Sequence, residues 1–257
     1  MLFAAFTPTP EQLLIVFFVT LIGDIFAAAV GGGGFLVHPV LLALGIPGPI
    51  ALANDMAASA GAAASGAYVF HRRKLVDYRQ LAWWMPGLLL GPVAGAWLLV
   101  YVPAWLLRDM VVINALAGGL LLAIFSFDKV PSEDSPLPRW WRGYALFFGF
   151  LVGIYFGFGG AGAGVLASAI LIGVMNRGLR HTIGLKNIIC FVPGLTACAS
   201  YMAQQLIAPT LFLTMLAASV SGGYIGSRLI VGVSEQTLKK IFLACIAIVA
   251  VLMLATR

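Results

Sequence analysis

Apolar stretches of helical length recur along almost the whole chain, and two of them follow runs of closely spaced glycines. The stretches cover 12–30, 34–46, 49–70, 80–101 and 104–126 and, after a polar break, 143–160, 163–175, 184–202, 209–230 and 236–256. A hydrocarbon core about 30 Å thick takes roughly 20 helical residues to cross. Eight of the stretches reach that length; 34–46 and 163–175 do not. In lipid every backbone N–H and C=O needs a partner, so spans are helical, and a break is buried in protein or lines water.

Composition agrees. The chain has 257 residues, 61% of them apolar and 9% charged, whereas soluble domains hold about 25% charged residues. Too little polar surface exists to cover a soluble fold of this size. A cytosolic enzyme, a nucleic-acid-binding domain and a disordered chain are excluded, and a polytopic membrane protein is expected. The net charge of +6 forms no long basic run. Its cations fall between apolar stretches, as topology determinants do. Cys190, Cys198 and Cys245 sit in apolar segments without metal or redox spacing and read as small buried apolar residues. No Lys or Arg precedes the first apolar run, so that run is expected to be a retained span rather than a cleaved signal.

Each short stretch follows a glycine cluster, GGGG at 31–34 or GFGGAGAG at 157–164. The clusters are consecutive rather than spaced as GxxxG. A broken helix over a cavity is therefore favoured over close helix packing through small residues.

The polar break DKVPSEDSPLPRWWR at 128–142 divides the chain, and its Trp140–Trp141 pair suits a membrane interface. A gapless shift of 131 residues then aligns Gly31 with Gly162, Gly33 with Gly164, Gly91 with Gly222 and Gly95 with Gly226. This points to a duplicated unit. With four crossings per half, the basic loop 71–79 and the uncharged loop 202–209 share a side, against the positive-inside rule. With five passes per half, the short stretches included, the halves are inverted. Loops 71–79, 127–142, 176–186 and 228–240 then all face the cytoplasm. The expected fold is an all-α integral membrane protein of two inverted repeats, with eight full transmembrane helices plus two short broken helices after the glycine breaks. The first repeat covers 1–127, the cytoplasmic linker 128–142 and the second repeat 143–257. Both termini lie outside a bacterial inner membrane.

Few ionisable groups fall within the spans, and each is a candidate because burying a charge there costs at least about 2.5–3.5 kcal/mol. Asp24 lies near the middle of the first stretch, and Asp55 aligns with Lys186 under the repeat shift. The aligned pair is expected to approach, either as a structural salt bridge or in transport, with Lys186 snorkelling to the interface as an alternative. His38 precedes Pro39 on the first short helix and either carries a proton or hydrogen-bonds a carbonyl. Asp24, Asp55 and His38 are the ion-coupling candidates. Helix N-termini carry unpaired N–H groups and a positive dipole end, and glycine lets an anion approach them. Two inverted short helices would aim two such ends at one cavity. The expected ligand is a small anion, held by Gly31, Gly32, Gly33 and Gly34, by Gly160, Gly162 and Gly164, and by Lys186, with Asn54, Asn187 and Ser59 as hydrogen-bond donors. Sulfonate, sulfite, carboxylate and phosphate all fit. The motifs of hydrolases, metalloproteases, Walker loops and dinucleotide folds are missing from the sequence, and it calls for no cofactor and no metal.

GGGGFLVHPVLLALGIPGPIALAND at 31–55, the HRRKLVDYR loop and GPVAG at 91–95 resemble the sulfite exporter TauE/SafE family, also called the toluene-sulfonate uptake permease family. GFGGAGAG, TIGLK at 182–186 and GGYIG at 222–226 repeat the pattern, and the resemblance covers nearly the whole chain. It implies a secondary transporter of sulfur-containing anions such as sulfite, sulfoacetate and organosulfonates. Where that family tends to carry a small residue followed by Thr-Ser, this chain has Ala53-Asn54-Asp55. The acidic group there implies proton coupling or a different substrate.

The sequence therefore reads as a non-enzymatic, alternating-access carrier of a small sulfur-containing anion. An anion channel, a carrier of a carboxylate-type anion and a membrane enzyme are the alternatives. Lipid is the expected surrounding, nucleic acid is not a partner, and homo-oligomerisation is left open.

Overall fold

The computed structural model describes residues 7–74, 76, 78–103, 106, 140–173, 175, 179–233 and 237. All of the stretch at 104–126 but residue 106, all of that at 236–256 but residue 237, linker residues 128–139, residues 176–178 of loop 176–186 and Cys245 lie outside them.

Eight α-helices and no strand occur among the described residues. They are α1 Pro10–Val30, α2 Gly34–Ala43, α3 Gly48–Arg72, α4 Tyr78–Tyr101, α5 Trp141–Gly157, α6 Ala163–Gly173, α7 Leu179–Ala203 and α8 Pro209–Val231. Local chemistry sets several of these ends. Thr9 caps α1 in a reciprocal box with Gln12, with Pro10 in the first turn. Gly31 closes α1 in the left-handed region at φ 86°, which glycine adopts without steric cost. Gly45 at φ 78° and Pro47 turn the chain from α2 into α3. The Gln12 amide donates to the Leu44 carbonyl at 3.0 Å, tying the start of α1 to the end of α2. These two helices thus form a hairpin bent at the glycine run.

The 131-residue offset recurs in the backbone. Under the same 131-residue shift α3 superposes on α7 at both ends, and the starts of α1 and α4 fall on those of α5 and α8. Two pairs of left-handed residues coincide as well: Gly31 (φ 86°) with Gly162 (φ 85°), and Lys74 (φ 57°) with Gln205 (φ 58°).

Packing fixes helix directions through glycine contacts. Gly87, Gly91 and Gly95 of α4 rest in turn on Gly149–Phe150, Gly153–Ile154 and Gly157–Phe158 of α5, so these helices run parallel. Gly222 and Gly226 of α8 rest on Leu21–Ile25 and Ile25–Ala28 of α1, again parallel. The first helix of each half therefore packs on the fourth helix of the other. By contrast, Gly194 of α7 meets Ala60 of α3 while Gly66 of α3 meets Asn187 of α7, so these two equivalent helices cross antiparallel.

Large apolar side chains cover the outside: Leu90, Leu213 and Leu229 are 65%, 62% and 60% exposed. Such a surface suits lipid and would be a liability in water. Four described helices are long and apolar enough to cross a membrane: Pro10–Ala28, Leu81–Tyr101, His181–Ala203 and Pro209–Val231. Helix α3 has 25 residues but is rich in Ala, Gly and Ser. It is sheathed by α7 and α8, so packing of small residues replaces lipid-facing bulk. At the paired starts of α4 and α5, the Arg142 guanidinium stacks 4.9 Å from the Trp83 ring, and Trp140 is exposed. That arrangement is typical of a membrane interface.

Candidate functional site

The two glycine breaks meet. A Cβ built on Gly34 would stand 3.1 Å from the Ala161 side chain, and one built on Gly31 would collide with the Gly164 backbone. Around this crossing lies a cavity of about 70 Å³, room for a compact anion or a few waters at roughly 10–15 Å³ each. Gly31, Gly33 and Gly34 line one side and Gly160, Gly162 and Gly164 the other. Gly32 does not line it; a Cβ there would press on the Phe35 ring. The N-terminus of α2 has no side-chain cap; its Phe35 and Leu36 amides donate to the Gly32 and Gly33 carbonyls at 3.1 and 3.0 Å, which leaves the Gly34 amide as its donor toward a ligand.

Lys186 reaches this cavity from α7. The sequence makes Lys186 a cavity residue, at the end of loop 176–186, with snorkelling to the interface as the alternative. Helix α7 instead begins at Leu179, two turns earlier, and Lys186 is 1% exposed. Its ammonium donates to the Ala27 and Ala28 carbonyls at 2.7 and 3.0 Å. These carbonyls belong to the last turn of α1, the negative end of its dipole. An ammonium has three N–H donors, so one remains for a ligand. Asn187 lines the same cavity, and its buried Nδ2 has no hydrogen-bond partner.

The expected approach of Asp55 to Lys186 does not occur. Because α3 and α7 run antiparallel, Lys186 sits at the level of Gly66. Asp55 is eleven residues earlier on α3, about 16 Å along the helix. Asp55 pairs with His38 instead, Oδ2 to Nε2 at 2.7 Å, with both side chains buried. Asp55 lines the cavity and His38 stands behind it, its Nδ1 buried without a partner. Asp24 lines the cavity beside Gly33, and its Oδ2 is also buried without a partner.

Asn54 is not part of the site. Its amide donates to the Ile50 and Leu206 carbonyls at 2.7 and 3.0 Å and accepts from the Ala208 N–H at 3.1 Å. The side chain is fully used in clamping the α7–α8 turn. Ser59 lines the cavity, but its hydroxyl donates to the Met56 carbonyl within its own helix. The sequence reading missed Cys190 and Phe156, which both line the cavity. Cys190 had a signal: it stands four residues after Lys186, on the same helical face.

The family model described as "Sulfite exporter TauE/SafE" matches residues 15–253. Among curated proteins, the chain is 28% identical over 249 residues to the probable membrane transporter protein YfcA of Escherichia coli strain K12, covering 95% of this chain and 90% of that one. It is 27% identical over 224 residues to a probable membrane transporter protein of Haemophilus influenzae, covering 86% of each. With the probable membrane transporter protein YdhB of Bacillus subtilis it shares 25% over 252 residues, covering 94% of this chain and all of that protein. No solved structure matches the chain. A family match over nearly the whole length and an outside of lipid-suited side chains agree: the chain is membrane-embedded and belongs to the TauE/SafE family of membrane transporters.

Proposed function

We propose that the protein is a secondary transporter of a small sulfur-containing anion, of the sulfite, sulfoacetate or organosulfonate class, working by alternating access. The observation that carries this reading is the cavity at the crossing of the two glycine breaks. There, the Gly34 amide at the uncapped start of α2, the remaining N–H of Lys186 and the unpartnered Asn187 Nδ2 converge. All are donors, which suits the oxygens of a compact oxyanion. The family name favours sulfite or a sulfonate among the anions of that size.

Two inverted repeats, 1–127 and 143–257 about a cytoplasmic linker, account for the recurrence of helix ends and left-handed residues at one offset. They also account for the antiparallel crossing of α3 with α7. Each repeat would contribute one hairpin to the central site, and rocking of one bundle against the other would open it alternately to each face. In this arrangement the HRRK end of α3 faces the cytoplasm of a bacterial inner membrane, and both termini lie outside.

The test is counterflow in proteoliposomes. Vesicles preloaded with sulfite, methanesulfonate or acetate are diluted into trace labelled anion of the same kind. Saturable accumulation of sulfite or sulfonate, with acetate inactive, is expected. Accumulation of acetate alone would move the substrate to the carboxylates. Unitary currents without counterflow would make the protein a channel.

A further inference from the structure

We infer that the Asp24 carboxylate is a tethered anion that competes with the transported anion for the same positive groups, so that the substrate enters only together with a proton on Asp24. This inference rests on the anion reading above and adds how that site is coupled.

The argument begins with place. Asp24 sits on α1 two turns before the glycine break, and the hairpin folds α2 back onto it. A Cβ on Gly33, the residue at the N-cap of α2, would stand 3.1 Å from Asp24 Oδ1. A carboxylate oxygen therefore rests at the positive end of α2. This is the position at which a bound anion would be placed. Asp24 and Lys186 line one cavity, so both positive features offered to a substrate already face an internal anion.

Charge balance sharpens this. The cavity wall carries one ammonium, Lys186, and two carboxyl groups, Asp24 and Asp55. Asp55 has the imidazole of His38 at 2.7 Å. Asp24 has no ion-pair partner at hydrogen-bond distance among the described residues, and its Oδ2 is buried without a hydrogen bond. The titratable groups facing Asp24 are Asp55 on α3, with His38 of α2 behind it, and Lys186 and Cys190 on α7. Helix α8 presents Ser219 and the backbone at Gly222, and α6 presents no titratable side chain. With Asp24 ionised, an entering anion meets a second negative charge at the α2 terminus in a low-dielectric site, where like charges repel strongly. Protonation removes that charge and converts an acceptor oxygen into a donor. Anion and proton then bind with mutual support, and by linkage each raises the other's affinity equally.

The test uses purified wild-type protein and Asp24→Asn, with methanesulfonate and ethanesulfonate as probes. A sulfonate stays singly charged over the working range, so its own titration contributes nothing. Wild-type affinity is expected to fall about tenfold per pH unit on the alkaline side of the Asp24 titration, the slope for one linked proton. Asp24→Asn should bind with a flat profile, near the wild-type affinity at acid pH, and should exchange anion without accumulating it under a proton gradient. A variant that keeps the slope, or a wild type that has none, overturns the inference. If Asp24→Asn does not fold, proton uptake by the wild type decides. Binding enthalpies in two buffers of different ionisation enthalpy should give one proton taken up per anion, and none taken up overturns the inference. If neither sulfonate binds the wild type at any pH, the anion reading itself fails and this inference falls with it.

Discussion

Gly31 and Gly164 touch backbone to backbone. A Cβ on Gly31 would stand 2.5 Å from the Gly164 Cα, and one on Gly164 would stand 2.7 Å from the Gly31 Cα. The two glycine runs therefore do two things at once. They expose helix ends to a cavity, and they let the tips of the two hairpins cross with no side chain between them. Both readings of the clusters, broken helix and close packing, hold together.

Gly164→Ala should consequently destabilise the protein by about 1–3 kcal/mol through overpacking, before any effect on a ligand. Gly31→Ala should cost more, since its φ of 86° adds left-handed strain of about 1–2 kcal/mol. Thermal unfolding in detergent reads both. A Gly164→Ala protein as stable as wild type would mean the hairpin tips do not meet as described.

His38 and Asp55 form a buried hydrogen-bonded pair, so stability tests belong to them rather than to Asp55 and Lys186. His38→Leu or Asp55→Leu alone should cost about 3–5 kcal/mol, because a lone polar partner stays buried. The double replacement should cost clearly less than the sum of the two. Additive losses in this double-mutant cycle would show that the pair is not coupled.

The helices of this chain were legible because apolar runs of spanning length leave little alternative in lipid. The observed ends of α1, α3, α4 and α8 fall within two residues of the expected ones. Six of the seven glycine positions, all but Gly32, and Lys186, Asn187, Asp24 and Asp55 were legible as cavity residues because intramembrane polarity and consecutive glycines are costly without a use. Their partners were not. Asp55 and Lys186 occupy equivalent positions, but an antiparallel crossing separates equivalent residues unless they lie at its centre, which here falls between Ala60 and Gly66. Asn54 was misplaced for a related reason. It neighbours Asp55 in sequence, yet successive helical residues point about 100° apart, and only one of the two faces the cavity. The turn that Asn54 holds lies 152 residues away, and no local pattern announces it.

Asn54→Ala should therefore lower stability by about 1–3 kcal/mol, since it leaves the Ala208 N–H and the Leu206 carbonyl without their buried partner. Anion affinity of the folded fraction should stay at the wild-type value. A selective loss of affinity at unchanged thermal stability would return Asn54 to the binding site.

Lys186→Met should behave in the opposite way. The substitution leaves the Ala27 and Ala28 carbonyls without their donor, which costs about 1–3 kcal/mol. It also spares the burial of an ammonium, which offsets much of that loss. Melting temperature should change little, while sulfite or sulfonate binding should disappear with the ammonium's remaining N–H and its positive charge. Retained affinity in Lys186→Met would leave the helix end alone as the anion site.

Helix direction supplies the last prediction. The end of α3 and the start of α8 bound the equivalent, antiparallel helices α3 and α7 at opposite ends of the bundle. Gly66 lies beside Asn187, seven residues before Arg73, while Thr210 follows the α7 terminus at Ala203. Single cysteines at Arg73 and Thr210, in a background with Cys190, Cys198 and Cys245 replaced by Ala, should therefore be labelled from opposite faces of the membrane. A membrane-impermeant maleimide applied to intact cells should reach Thr210→Cys at once, and Arg73→Cys only after the cells are opened. The cation asymmetry sets which is which: His71, Arg72, Arg73 and Lys74 cluster at one end, and cytoplasmic loops retain such clusters. Labelling of both positions from one face would require α3 and α7 to run in the same direction, and would undo the inverted arrangement and the shared central site built on it.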